Sequence, residues 1–263
     1  MMKYKLTIEY NGTRFSGWQA QLHSKTVQGT ILQAAKQLFG EVKEIQGAGR
    51  TDAGVHALAQ VAHLVVQDDI PPKKILYGLN DVLPFDINIL NVEKVNERFH
   101  ARHSAISRSY IYQISRRRTA FAKEYVWWVK DKLDVSAMRE VAQIFLGMHD
   151  FGSFADKKLE KGETKCLVES VELAEVDELI LFRIRASHFL WKMVRRIVGS
   201  IVEVGREGLK KSQIEYFLNN YTESLAPFTA PPSGLFLEQI LYYDDKWHEE
   251  LSPAIPLSKP KIK

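Results

Sequence analysis

The sequence predicts an α+β fold of two similar mixed α/β halves sharing one continuous antiparallel sheet. Period-two apolar alternation recurs in both halves, and each half interleaves several such segments with one or two helices. That order suits mixed layers rather than a parallel doubly wound sheet. No Gly/Ser linker interrupts the chain, so the halves are expected to share their sheet. The division falls near residue 104, giving segments 1–104 and 105–263.

The opening segment alternates Tyr4, Leu6, Ile8 and Tyr10 against Lys3, Lys5, Thr7 and Glu9, a strand with one buried face. From Thr26 to Phe39, Val27, Ile31, Ala34, Ala35 and Leu38 follow helical spacing, and Gly40 stops it. Residues 58–66 (LAQVAHLVV) read as a strand, Pro71 and Pro72 open a helix through Leu83, and residues 86–95 form a further strand. In the second half, residues 107–115 alternate Tyr110, Tyr112 and Ile114 against Ile111 and Gln113. Asp134 is placed to cap a helix running to Leu146. Residues 166–176 and 178–187 form a hairpin around Asp177. A long helix from about Phe189 to Val204, a shorter one from Ser212 to Asn219 and a last strand in GLFLEQILYYD complete the pattern, and KPKIK reads as a loose tail.

A composition of 45% apolar and 26% charged residues is that of an ordinary soluble globular protein. The single cysteine, Cys166, excludes an internal disulfide and a cysteine-built metal cage, and reads as a small buried thiol. MMKYKLTIEY lacks the apolar run of a signal peptide, and no membrane-length apolar stretch follows, so a cytoplasmic location and no membrane partner are expected. The net charge of +4 is too mild to argue for nucleic acid, but its clustering is informative. Arg116, Arg117 and Arg118 form one group, Lys157, Lys158, Lys161 and Lys165 a second, Lys192, Arg195 and Arg196 a third. Any one of these is more often a solvated face than a binding site; interleaved with Tyr110, Tyr112, Trp127, Trp128 and Trp191 they fit a polyanion whose bases stack on aromatic rings.

Residues 47–57 read GAGRTDAGVHA, in which three glycines and three alanines frame Arg50, Thr51, Asp52 and His56. Small residues let the backbone bend and approach a large partner. A fixed, poorly hydrated carboxylate at Asp52 can serve as nucleophile or base; the same spelling also makes a turn in which the aspartate caps its own backbone. His56 and His63 are tempting acid–base groups, but their placement favours structural roles. In the helix HFLWKMVRRIVGSIVEVG, a count of about 100° per residue puts Leu190, Met193, Val194, Ile197, Val198 and Ile201 on one stripe. On the same count Arg196 falls roughly 200° and Lys192 roughly 160° from Val194, facing away, whereas Arg195 sits at the margin, near 100°. A cation there needs a carboxylate or phosphate, Asp52 being a candidate, or it packs its stem and wets its head.

GRTDAGVHA closely resembles the catalytic motif of the tRNA pseudouridine synthase A family. The likeness continues through EYNGTRFSGWQAQ and TVQGTIL, FHARHSAISRSYIY, HDFGSFA, FLWKMVRRIVGSIVEVG and TAPPSGLFLEQILYYD, so it spans nearly the whole chain in order. The nonapeptide and the FL-MVR helix are highly specific; the DF-SF segment is weak alone. Two stretches depart from the pattern: ETKCLVES, where many members carry an arginine, and SHFLWKM, which replaces an Asn-x-Phe-Leu start.

The resemblance implies the pseudouridine synthase fold, with helices on one side of the sheet and a central catalytic cleft. It implies isomerisation of uridine to pseudouridine in the anticodon arm of tRNA, at positions 38 to 40, by a homodimer that grips the tRNA across both subunits. Asp52 is then the catalytic aspartate, Tyr110 the tyrosine that stacks on the target uracil, and Arg195 the basic group paired with the aspartate. Arg50 fills the space left by the extruded nucleotide, with Lys192 and Arg196 as further RNA contacts. No cofactor and no metal are implied. A catalytically silent RNA-binding protein on the same scaffold and a metal-dependent nuclease using Asp52 and His56 are the competing readings.

Overall fold

A computed structural model describes residues 1–156 and 164–258. Lys157, Lys158, Lys161 and the KPKIK tail lie outside the described residues. In chain order the helices are α1 (Val27–Phe39), α2 (Pro72–Val82), α3 (Val135–Ala142), α4 (Met193–Gly205) and α5 (Lys211–Asn219). The strands are β1 (Met2–Tyr10), β2 (Val42–Gly47), β3 (His56–Val66), β4 (Ile87–Val95), β5 (Ser107–Ser115), β6 (Trp127–Trp128), β7 (Gly147–Asp150), β8 (Lys165–Val176), β9 (Leu179–Ala186) and β10 (Leu235–Leu241). The expected α+β class is what these elements make. They form two compact units: residues 1–106 with 236–247, and residues 107–235 with the chain from His248 onward. Residues 236–247 thus return to the first unit, which a linear division of the chain does not anticipate.

In the first unit the strands run in the order β4-β1-β3-β10, with β2 also on β3. β1 is antiparallel to both neighbours, pairing Leu6 with Ala62 and with Val92. Its alternation works as read: Tyr4, Leu6, Ile8 and Tyr10 are buried. β10 lies parallel to β3, with Phe236 opposite His56. This corrects the expectation of an antiparallel sheet. β10 arrives from far along the chain, and only a tight hairpin obliges neighbours to run antiparallel. Thr26 caps α1 by accepting from Gly29 N at 3.3 Å, and Gly40 ends it at φ +73°. β2 escapes a period-two search because its register slips between Val42 and Glu44, a bulge that buries both Val42 and Ile45 despite their spacing of three.

In the second unit the order is β5-β9-β8-β7, antiparallel throughout, with the short β6 parallel to β5. Asp177 turns the β8–β9 hairpin at φ +51°. Asp134 caps α3 through Ala137 N at 3.0 Å, but the helix gives way to a 3-10 turn at Gln143, short of Leu146. α4 begins at Met193, later than the expected Phe189, because Lys192 has a left-handed backbone (φ +62°) that no α-helix accommodates. Buried Arg183 pairs with Glu172 at 2.7 Å and donates to the carbonyls of Glu249 and Glu250, tying residues 248–250 to this sheet. Among the described residues no helix is long and apolar enough to cross a membrane.

Candidate active site

In the first unit the GRTDAGVHA loop is held by the segment EYNGTRFSGWQ, which runs alongside it. Trp18 N donates to Thr51 O at 3.1 Å, and Gly54 N donates to Phe15 O at 3.3 Å. Within the loop, Val55 N donates to Asp52 O at 3.1 Å, closing a turn. Asp52 is therefore flanked by two main-chain bonds, one on the carbonyl before it and one on its own, and is half-buried. The close approach demands glycine on the supporting segment. A Cβ at Gly17, where φ is +91°, would meet Thr51 O at 2.6 Å, and one at Gly12 would meet Val55 O at 2.0 Å.

Side chains complete the brace. The Tyr10 hydroxyl shares a buried 2.8 Å hydrogen bond with Thr51 Oγ1, and burial pushes its pKa up to about 12 against the opposing bonds to Thr51 and Gln60. Gln60 Nε2 donates to Gly49 O at 3.1 Å. His56 is buried at the start of β3, accepts from Gly12 N at 3.1 Å through Nδ1, and stacks on Phe236 with centroids 4.7 Å apart. Arg50 is exposed beside this frame.

In the second unit, Tyr110 sits on β5 opposite Ile184, its ring edge-on to Phe189 at 5.0 Å and 85°. That geometry is the favourable T-shaped one and fixes the ring plane. Arg195 is half-buried on α4; its Nε donates to Ala230 O at 2.7 Å, while Ala230 N donates back to Arg195 O at 3.0 Å. The guanidinium is thus aimed by the TAPP segment. Tyr112, two residues along from Tyr110, is fully buried and donates to Pro231 O at 2.7 Å. Burial raises its pKa well above the ordinary value, opposed by the positive charge of Arg195.

The remaining cations are arranged differently from the wheel's reading. Arg196, expected to face away from the core, is 5% exposed. It donates to Ser153 O at 3.4 Å and to Ala155 O, and pairs with Asp156 Oδ1 at 2.5 Å. Lys192, half-buried, holds the other oxygen of Asp156 at 2.7 Å and lies 5.0 Å above the Trp191 ring. One carboxylate therefore serves both cations and fastens residues 153–156 to α4. This corrects the expectation for Arg196 as an RNA contact, because a wheel sees only the helix's own axis and the 153–156 segment covers the side it labels outward.

Sequence reading missed Tyr10, Phe189 and Asp156. Tyr10 and Phe189 lie inside motifs quoted for other residues, so a signal existed; Asp156 had none. His63 is also structural: buried on β3, it accepts from Ala101 N at 3.1 Å and sits 3.3 Å from Glu44.

The family model described as tRNA pseudouridine synthase matches residues 6–104 and 141–243. The chain is 39% identical over 244 residues to the tRNA pseudouridine synthase A of Acetivibrio thermocellus. It is 42% identical over 246 residues to that of Rhodopseudomonas palustris and 40% over 243 to that of Aquifex aeolicus. In each case the match covers 92% of this chain and 100% of the relative.

Proposed function

The chain belongs to the tRNA pseudouridine synthase family, and on that premise we propose that it isomerises uridine to pseudouridine in the anticodon arm of tRNA through Asp52, Tyr110 and Arg195. The net change breaks the N1–C1′ bond, turns the uracil and rejoins it through C5. C5 surrenders its proton and N1 gains one, so the reaction balances without electron transfer. A uridine in stacked RNA must first be extruded, at a cost of a few kcal/mol. Phosphate contacts and aromatic stacking, worth ~1–3 kcal/mol per base, offset that cost.

The observation that carries the reading is the bracing of Asp52. Bonds to Thr51 O and Asp52 O fix the main chain on both sides of one carboxylate, in a loop rich in glycine and alanine. Tyr110, 8% exposed and with its plane set by Phe189, is the ring that stacks on the uracil in this proposal. Arg195, its Nε held by Ala230 O, is the cation that serves the carboxylate in this proposal. The carboxylate then acts on the sugar or on the ring. Arg50 fills the gap in the stack and Lys192 meets a phosphate, while Arg196, committed to Asp156, positions rather than contacts. A homodimer gripping one tRNA, and positions 38 to 40 as targets, belong to the same proposal.

The test is incubation with an unmodified tRNA transcript in the presence of chelator, followed by digestion and nucleoside analysis. Pseudouridine formed by the wild type, lost in Asp52→Asn while tRNA binding persists, is the expected result. Tight binding with no product in the wild type would leave an RNA-binding protein; a shortened transcript that needs a divalent ion would make it a nuclease.

A further inference from the structure

We propose that a groove on the second unit, between Arg118, Lys123 and Trp128, is an accessory RNA-docking site that grips a second stretch of the tRNA; this rests on tRNA being the substrate. The groove encloses about 700 Å³ and is lined further by Thr119, Val126 and Ser233. Its lining carries two cations and no acidic side chain. Arg116 is committed to Glu175 at 2.5 Å and Arg117 Nη2 to Ser258 O at 3.0 Å, so Arg118 is the member of the arginine triplet that lines the groove.

The aromatic content points to a base. Trp128 is 41% exposed at the groove, and Phe121, between the two cations in sequence, is 98% exposed. An exposed indole in a groove lined by two cations matches how single strands are held, with phosphates on the cations and bases on the rings. A second copy of this chain, carrying a net charge of +4, is a poorer occupant than a polyanion.

The location sets the groove apart from the proposed catalytic tyrosine. Trp128 pairs with Ser115, the far end of β5 from Tyr110. Five residues at ~3.3 Å each separate those positions by roughly 16 Å along the strand. A foothold that far from the extruded base still lies within one tRNA, so it raises the effective concentration of the target arm at Tyr110.

The experiment measures binding of unmodified tRNA transcript as a function of salt, and the quenching of tryptophan fluorescence by that RNA. In Arg118→Ser/Lys123→Ser, both sites exposed, the slope of log K against log[salt] should fall by about 1.4–1.8, from ~0.7–0.9 per lost phosphate contact. In Trp128→Phe, part of the RNA-induced quenching should disappear. An unchanged slope with intact quenching overturns the proposal. A changed sedimentation coefficient with an unchanged slope also overturns it, assigning the groove to a second copy of the chain. Neither readout requires turnover: a wild type that makes no pseudouridine but shows both effects keeps the groove while losing the isomerase.

Discussion

Tyr10 and Thr51 share a buried hydrogen bond of 2.8 Å immediately before Asp52 in the chain. A strand core residue is thereby tied to the loop that carries the proposed catalytic carboxylate. Tyr10→Phe removes the hydroxyl and leaves Thr51 Oγ1 without that partner, a loss of about 1–3 kcal/mol in stability by urea unfolding. Pseudouridine formation should fall more in kcat than in KM. The alkaline limb gives a second check. The folded hydroxyl titrates at about 12, above the ordinary tyrosine value of about 10, so folding favours its neutral form. Its contribution is complete below pH ~10 and is lost as pH rises from there towards 12. Tyr10→Phe should remove that part of the alkaline destabilisation; an identical alkaline profile in both proteins would refute the assignment.

Gly12→Ala and Gly17→Ala should each displace the Asp52 loop. The added methyl would stand 2.0 Å from Val55 O in the first and 2.6 Å from Thr51 O in the second, and both obstacles are backbone. At Gly17 the φ of +91° adds strain of order 1–3 kcal/mol. Activity should drop at least tenfold in each, with the far-ultraviolet dichroism of the folded protein retained. Full activity in both would mean that the loop is held elsewhere.

Much of the fold is legible because local pattern and burial coincide. The alternation of Tyr4, Leu6, Ile8 and Tyr10 became β1, Thr26 became the cap of α1, and Asp177 became the turn of the β8–β9 hairpin. What escapes is non-local or irregular. The bulge in β2 erases its period, Lys192 starts α4 late through a backbone angle that side-chain spacing does not encode, and β10 chooses a partner more than 150 residues away. The catalytic assignments came from resemblance to a motif. Composition and spacing alone left Asp52 as either a turn residue or a working group, and Arg196 shows how a helix wheel misjudges a side chain that a neighbouring segment covers.

Acid should weaken the first unit through its histidines. Burial lowers the pKa of His63, partly opposed by Glu44 and reinforced by Lys3; burial likewise lowers that of His100, helped by His63 and His103. Folding therefore favours the neutral rings, and their contribution is present above about pH 6.5 and is lost as pH falls through the lowered folded values. Protonating His63 also takes Nδ1 away from Ala101 N, which it accepts at 3.1 Å. The urea midpoint should decline from pH 7 to pH 5, and His100→Gln should shallow that decline. A midpoint flat across this range would contradict the account.

Cys166 should be inert in the folded protein although His188 Nε2 lies 3.2 Å from its sulfur. Histidine neighbours often activate thiols, but burial, aided by Asp150, raises this pKa from 9.0 to about 12. Three units reduce the thiolate fraction at pH 8 about a thousandfold. A thiol reagent at that pH should label the protein only after urea unfolding. Rapid labelling of the native state would show an accessible thiolate.

Arg195 separates chemistry from affinity. Its Nε bond to Ala230 O and the return bond from Ala230 N fix where the guanidinium begins, and its charge is felt at Tyr112. If its task is in the chemistry rather than in holding the RNA, removing it damages the reacting site and leaves the phosphate contacts elsewhere intact. Arg195→Leu should then lower kcat by about 10²–10³, comparable with loss of one pre-aimed electrostatic donor, while tRNA affinity changes less than threefold. Arg195→Lys keeps the charge but has no Nε to give Ala230, so it should recover only part of the rate. Parallel losses of affinity and turnover across the two variants would instead make Arg195 a phosphate ligand, and the pairing with Asp52 would have to be abandoned.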